Sequence, residues 1–406
     1  MIHDRPALPA VSISGLQSRI VTANPTPFIE RLKLTNYKSI GECDVTFRPL
    51  TVIVGRNGSG KSNLLDSLHF VAAALRDGLD TAIRARGGSK AITHKNRGPG
   101  LQIEFSFRRG PEGSGRFLLE LDKGLVRQEQ LTLDDAEGAP LASYHRFANN
   151  LSVQTREGRL QTLPTVLHDR LALVALSGMA EFRGAFDGLS SMRFYRFNPE
   201  AIRTLQDPDD GEVLQADGAN VASVWRRIEK ERPAVTERLT EYLKVIAPEI
   251  RTIRPAMLGL KETLNFYQES ATRRLMFHAS DMSDGTLRAL GALVASRQTN
   301  GGGAGAMLVG IEEPENSIHP AAVAVLIDAF REASLQTQVV VTSHSADILD
   351  DLDHDRDGLL VTDMRDGNTT VAGMDRVGRE AIRRHLYTAG ELLRMNQLQP
   401  QELVPH

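Results

Sequence analysis

Apolar and polar positions along the chain fall into three patterns: alternation at period two, recurrence near period 3.6, and a few continuous apolar runs. Alternation appears first between residues 29 and 47, at Leu32 and Leu34 and then at Val45 and Phe47. It is sharper over Leu101-Gln102-Ile103-Glu104-Phe105-Ser106-Phe107 and returns at Phe117, Leu119 and Leu121, with Pro111, Gly113 and Gly115 between. These stretches predict antiparallel strands, the second pair a hairpin. Helical spacing holds for Leu64, Leu65, Leu68, Ala72 and Leu75, for residues 220–232, and for residues 234–247, where Val235, Leu239, Leu243 and Ile246 share one face and Pro233 separates the two. No heptad pattern is sustained long enough for a coiled-coil arm. The continuous runs Thr51-Val52-Ile53-Val54, residues 307–311 and Val339-Val340-Val341 predict buried strands. Shorter strand-like pieces, 264–266 and 275–277, are expected to return the chain to the core. Residues 134–190, with one apolar block at 171–176, carry no pattern that assigns them.

The organisation expected is a poorly ordered leader, 1–27, marked by Pro6, Pro9, Pro25 and Pro27. A first half of the core, 28–133, and a second half, 263–378, flank a partly helical insertion, 134–262. A tail, 379–406, places Ile382, Leu386, Leu392 and Leu393 on a helix that either caps the body or offers a docking surface. The 406 residues, 41% hydrophobic, suffice for a large core. A net charge of −3 gives no global basic field, so nucleic acid would need a local patch. Cys43 is the single cysteine, which excludes an internal disulfide framework. No apolar run of about 18 residues occurs, so no membrane span and a cytoplasmic location are expected.

Candidate chemistry enters at Gly55-Arg56-Asn57-Gly58-Ser59-Gly60-Lys61-Ser62, which fits G-x-x-x-x-G-K-[ST] between a predicted strand and a predicted helix. In that setting backbone N–H groups of a cradle running to Asn63 face phosphates, Lys61 brings a full charge to the β- and γ-phosphates, and Ser62 ligates Mg²⁺. The strand at 307–311 delivers Glu312 and Glu313 at its end, the first for Mg²⁺ and the second to activate a water. Ser283-Asp284-Gly285-Thr286 opens another helical run, Leu287, Leu290, Leu293 and Val294. By itself this reads first as a plain serine N-cap, and as a helix start that meets a phosphate only in company with the other motifs. His344 follows a buried strand and reads either as a γ-phosphate sensor or as a structural residue.

The order of these four motifs resembles the ABC-type head ATPases that include SMC proteins, RecF and the ATPase part of OLD proteins. The resemblance rests on Met282-Ser283-Asp284-Gly285-Thr286-Leu287-Arg288, Glu312-Glu313-Pro314-Glu315-Asn316 and Ile318-His319-Pro320, and covers roughly residues 28–350. It implies an α/β P-loop head with an antiparallel β lobe and a helical insertion, and ATP and Mg²⁺ as ligands. Two heads would dimerise head to tail on ATP, with Ser283 and Gly285 meeting the nucleotide of the partner, Asn316 and Ser317 in the crossing loop and His344 as the switch. It further implies hydrolysis of ATP, with Glu313, Lys61 and His344 as the catalytic group, in DNA repair or anti-phage defence. Too few residues follow His344 for a nuclease domain of about 100 residues or more, so a nuclease or other effector is expected to be a separate chain. The sequence departs from the family in two ways. Glu312 stands where Asp is commoner, and the glutamine of the lining loop, expected between the first helix and Leu101, is not identifiable. A nucleotide-gated scaffold with negligible turnover is the alternative; an ABC transporter subunit fits poorly, because the serine-glycine signature lacks the Leu-Ser-Gly-Gly-Gln form.

Two local patches suit nucleic acid. Residues 81–103 contain no acidic residue while Arg84, Arg86, Lys90, Lys95 and Arg97 are cationic, a docking surface for double-stranded DNA or an ordinary solvated loop. Arg193-Phe194-Tyr195-Arg196-Phe197 mixes cations and rings, which fits nucleic acid or a packed amphipathic strand.

Overall fold

A computed structural model describes residues 26–95, 98, 100–159, 166, 169–270, 273–298 and 305–401. Residues 1–25 of the expected leader, Arg97 and most of the glycine-rich run 300–305, which as sequence reads as a flexible spacer, lie outside the described residues.

Strands β1 (Ile29–Tyr37) and β2 (Ile40–Thr46) form an antiparallel hairpin that leads into β3 (Leu50–Val54). Every residue of β3 is buried, because the strand lies inside a sheet covered on both faces. Helix α1 (Lys61–Asp77) follows, then the short α2 (Leu79–Arg84) and α3 (Ser89–Ile92). The alternating stretches become β4 (Leu101–Arg108) and β5 (Ser114–Asp122), paired antiparallel from Leu101↔Leu121 to Arg108↔Ser114. The lobe then runs on through β6 (Leu125–Asp134), β7 (Pro140–Phe147), β8 (Asn150–Thr155) and β9 (Gly158–Arg159). Part of the stretch that carried no pattern is thus antiparallel sheet, and its apolar block is α4 (Ala172–Leu176), followed by α5 (Ala180–Ser190). The period-two signal is weak there because one face of β7 and β8 is polar and only Ala142, Tyr144 and Val153 are buried hydrophobics.

Beyond β10 (Arg193–Tyr195) and α6 (Pro199–Arg203), the two predicted helices are α7 (Val221–Glu231) and α8 (Pro233–Ile246), with Pro233 at the first position of α8, where its missing N–H costs nothing. The strand-like pieces do not rejoin the main sheet. They belong to β12 (Lys261–Ser270) and β13 (Arg273–His278), which with β11 (Ile250–Leu258) make a separate three-stranded antiparallel sheet. Helix α9 (Asp284–Ser296), β14 (Leu308–Glu312), α10 (Pro320–Ala333), β15 (Gln338–Ser343), α11 (Ala346–Asp350), β16 (Gly358–Arg365), β17 (Asn368–Ala372), α12 (Arg376–Arg383) and α13 (Ala389–Arg394) complete the chain.

The main sheet has the order β10-β14-β15-β3-β16-β17-β2-β1-β4-β5-β6-β7-β8-β9. Strands β10, β14, β15, β3 and β16 are mutually parallel, so their carboxyl ends share one edge; Glu312 is the last residue of β14, and the phosphate-loop motif, Glu313 and His344 follow such ends. The parallel core joins the antiparallel lobe where Thr369 of β17 pairs with Ile40 of β2. Alternate residues of the core strands feed two hydrophobic clusters. Ile53, Leu308, Val340 and Leu360 pack with α1 and the lobe; Val52, Val54, Ile311, Val341 and Val361 pack with α7 to α10. Each such fully buried side chain contributes roughly 1.5–3 kcal/mol by leaving water. Burial and the nearby Asp44 and Glu42 push the Cys43 thiol up to about 12, against a weaker opposing hydrogen bond from the Leu34 backbone, so it packs as an inert hydrophobe. Among the described residues no helix is long and apolar enough to cross a membrane.

Candidate active site

The phosphate-loop motif bridges β3 and α1. Gly60 caps the helix with φ 97° and ψ 11°, a left-handed conformation that glycine adopts without steric cost, and no side chain caps the first turn. The N–H groups at that end therefore stay available for an anion. Two threonines far along the chain brace the loop from behind. Thr362 of β16 shares a 2.5 Å hydrogen bond with Ser59 Oγ, and Thr369 of β17 donates to the Ser59 carbonyl at 3.0 Å. A Cβ at Gly60 would overlap Thr369. Neither threonine carried any signal in the sequence, because the contact spans about 300 residues and joins ordinary strand residues. The buried Lys61 donates from Nζ to the carbonyls of Gly55 (2.9 Å) and Arg56 (3.1 Å). Burial lowers its pKa, against the opposing pull of Glu313, Glu315 and Glu312. Arg56, Asn57 and Gly58 are exposed at the loop tip. Asn63 donates to Ser39 Oγ at 2.7 Å, so its side chain ties α1 to the β1–β2 turn.

Sheet pairing brings the acidic strand to this loop. Thr342 on β15 pairs with Glu312 on one side and Ile53 on the other, and Ser343 lies beside Val54. Ser62 Oγ donates to Glu312 Oε2 at 2.8 Å, which joins the two expected Mg²⁺ ligands across 250 positions of sequence. Glu313 takes a left-handed backbone, φ 44°, with its N–H on the Thr342 carbonyl at 2.9 Å. Its carboxylate accepts from Asn316 Nδ2 at 2.9 Å and lies 3.4 Å from His344 Nδ1. Burial by itself would raise this carboxyl, but the Asn316 hydrogen bond, His344 and Lys61 together hold it below the usual range. Ser317 is also left-handed, φ 66°. Two such non-glycine residues in one turn cost about 1–3 kcal/mol each and are held only where the surroundings over-determine them.

Glu315, not singled out by sequence reasoning, is buried behind this turn. It accepts from Ser343 Oγ at 2.5 Å, and its second oxygen has no partner among the described residues. Burial raises its pKa, only partly countered by the Ser343 bond. An acidic residue two positions past the pair was visible as a letter; its inward direction was not.

Ser283 caps α9 as an ordinary serine N-cap: Oγ accepts from the Thr286 N–H at 3.2 Å. Gly285 is buried in the first turn, and a Cβ there would overlap the Ser317 carbonyl oxygen. The helix start and the crossing loop of the same chain are thus in direct contact. Asp284 is ion-paired to Arg203.

Several expectations change. Arg86 does not face solvent; it pairs with Asp66 at 2.8 Å beneath the surface, leaving Arg84, Lys90 and Lys95 as the exposed cations of that patch. Arg193 donates inward to the Ser190 carbonyl at 3.0 Å, and Tyr195 is buried with its hydroxyl on Gln298 at 2.9 Å, so the stretch is a packed strand, which leaves Arg196 as its exposed cation. A further segment lines a cleft with the carboxylates: after β10, Arg196 and Asn198, with Arg288 from α9, share a cleft of about 390 Å³ with Glu312, Glu313 and Asn316. It was missed because β10 is only three residues long and its place beside β14 is a tertiary fact. The tail packs through α13, where Gly390 donates to Asp350 at 3.1 Å and Arg394 to Asp347 at 2.8 Å, while Leu386 stays exposed.

Comparison with known proteins bears on the family and the fold. The chain is similar to the DNA replication and repair protein RecF of Porphyromonas gingivalis, 37% identical over 90 residues, 20% of this chain and 24% of that one. With RecF of Beutenbergia cavernae the identity is 26% over 226 residues, 51% of this chain and 54% of that one. The matches thus span between about a quarter and about half of those relatives' length. Among solved structures, the Smc head bound to the C-winged helix domain of ScpA superposes with a TM-score of 0.53 at 16% identity, covering 85% of this chain and 98% of that one. The Smc head with an extended coiled coil bound to the C-terminal domain of ScpA from Pyrococcus furiosus gives 0.52 at 15%, covering 89% and 100%. The fold is an SMC/RecF-like ABC-type head, and with residues 50–350 matched, the chain belongs to the family described as "AAA domain, putative AbiEii toxin, Type IV TA system".

Proposed function

We propose that this chain is a Mg²⁺-dependent ATPase whose ATP-driven head-to-tail dimerisation serves DNA repair or processing, or anti-phage defence, together with a separately encoded effector. The observation that carries this reading is the Ser62–Glu312 hydrogen bond with Lys61 and Glu313 beside it, four residues from two distant motifs gathered at one edge of a parallel sheet. The phosphate-loop N–H groups and Lys61 hold the β- and γ-phosphates. Ser62 and Glu312 are the residues that would hold Mg²⁺, and their oxygens suit a hard cation that keeps much of its shell from water and phosphate. The ion supplies charge neutralisation at the phosphate oxygens. Glu313, ionised and aimed by Asn316 and His344, takes the proton of a water whose oxygen attacks the γ-phosphorus. The bond to the bridging oxygen breaks, and ADP and inorganic phosphate result. Ser283 and Gly285 are read as the groups that meet the nucleotide of a second copy, and the RecF likeness supports a DNA-linked role.

The test is the ATP hydrolysis rate of the purified chain with and without duplex DNA bearing free ends, with Glu313→Gln as the blank. Glu313→Gln is expected to lower turnover by about 10²–10⁴-fold, the usual contribution of a general base, while nucleotide binding persists. A chain whose biological activity survives that substitution would be a nucleotide-gated scaffold instead. Stimulation by DNA would place the sensor in this chain, and basal turnover without stimulation would assign it to the partner.

A further inference from the structure

The cleft beside the carboxylates has an uneven lining. It is lined by Glu312 and Glu313 and also by Arg196, which is exposed, and Arg288, half-buried. Arg288 donates from Nη1 to the Phe197 carbonyl at 2.8 Å, and its buried Nε has no partner among the described residues. Neither arginine forms an ion pair among the described residues, whereas Arg203, which is tied to the start of α9, pairs with Glu200 and Asp284. Two unneutralised guanidinium groups facing one cavity, one with a buried donor unfilled, are the donor set for a tetrahedral oxyanion. At about 390 Å³ the cleft holds such an ion together with several waters, each of about 30 Å³.

We propose that Arg196 and Arg288 form a phosphate-dianion site within the single chain, which takes the terminal phosphate once it has been cleaved. The proposal rests on the hydrolytic reading for the source of the ion. Its physical basis is a pair of guanidinium groups in the cleft without a carboxylate partner. Once Glu313 has taken the proton of the water it is neutral, and Glu312 is screened by the Mg²⁺ it would hold, so the cleaved dianion meets in Arg196 and Arg288 charge-assisted donors while ADP is still held by the phosphate loop. Arg288 lies on α9, the helix that begins with Ser283, so occupancy of the cleft bears directly on the helix that would face a second copy.

The test is a titration of inorganic phosphate into the full chain carrying Lys61→Ala, which disables the phosphate loop as a competing site, read by ³¹P line broadening and by calorimetry. Binding to Lys61→Ala is expected, and adding Arg196→Ala should weaken it at least tenfold. Arg288→Ala should do the same, but it also removes the bond to Phe197, so the exposed Arg196 is the variant that decides if Arg288→Ala does not fold. Absence of phosphate binding to Lys61→Ala, or binding unchanged by Arg196→Ala, overturns the proposal. ATP turnover of the unmodified chain is measured in parallel. Turnover without cleft binding refutes the phosphate site alone; cleft binding without turnover refutes the hydrolytic reading and with it the cleaved phosphate as the source.

Discussion

The phosphate loop and the start of α9 look alike as sequence, each a run of small residues opening a helix, yet they are built oppositely. At the phosphate loop the cap is a left-handed glycine with no side-chain oxygen on the first-turn N–H groups. At α9 Ser283 already fills the Thr286 N–H. The glycines differ in the same way. Gly60 serves an unusual backbone angle and a close approach by Thr369, while Gly285 needs only the close approach, because the Ser317 carbonyl occupies the place of a side chain. The first loop keeps its N–H groups uncapped; the second is closed by its own chain, through the Ser283 cap and the Ser317 carbonyl. Similar composition at two helix starts therefore says little until the capping partners are known.

This contrast can be broken experimentally. The largest effect is expected from Lys61→Ala, which removes the charged donor of the open loop and should reduce ATP turnover by roughly 10²–10³-fold, the cost typical of losing one preorganised donor. Circular dichroism should show the fold retained. Gly285→Ala comes next: the new Cβ must push the crossing loop aside, costing about 1–3 kcal/mol, as overpacking does. Urea unfolding measures this, and an unchanged midpoint would mean that the contact yields freely. Ser283→Ala should cost about 1 kcal/mol as the loss of an N-cap. A turnover loss far larger than that stability change would show that Ser283 also meets nucleotide, and would narrow the contrast between the two loops.

The smallest effect concerns Glu315, which anchors the turn between them. Burial raises its carboxyl pKa in the folded chain, so between the unfolded value, about 4.3, and the raised folded value the folded chain binds more protons than the unfolded one. Stability then falls as pH rises through that window. Glu315→Gln cannot ionise, so thermal unfolding across pH 4–8 should show the wild type losing ground to the variant as pH increases. A constant difference would mean that the carboxyl does not titrate in that range.

The legible parts were those whose signal is local. Alternation over residues 101–121 predicted the β4–β5 hairpin because one face of those strands is packed and the other is not. The β-branched run before Gly55 and the helical spacing after it predicted strand, loop and helix around Lys61. The acidic pair was readable as a strand end. Where both faces are mixed, as in β7 and β8, or the element is three residues long, as in β10, the pattern is too short or too weak to separate core from solvent.

By itself, then, the sequence determined the phosphate-loop segment, the identity of the carboxylates and the order of the motifs, because chain stiffness, turn chemistry and side-chain period act within a few residues. Only the tertiary structure decided that Ser62 meets Glu312, that Thr362 and Thr369 brace the loop, that Arg86 and Arg193 turn inward, and that Arg196 and Arg288 line one cleft with the carboxylates. The contacts of Ser62, Thr362 and Thr369 arise from strand order in the sheet, which joins positions hundreds of residues apart and leaves no periodic trace at either end, and the inward turn of the arginines depends on which face their element packs.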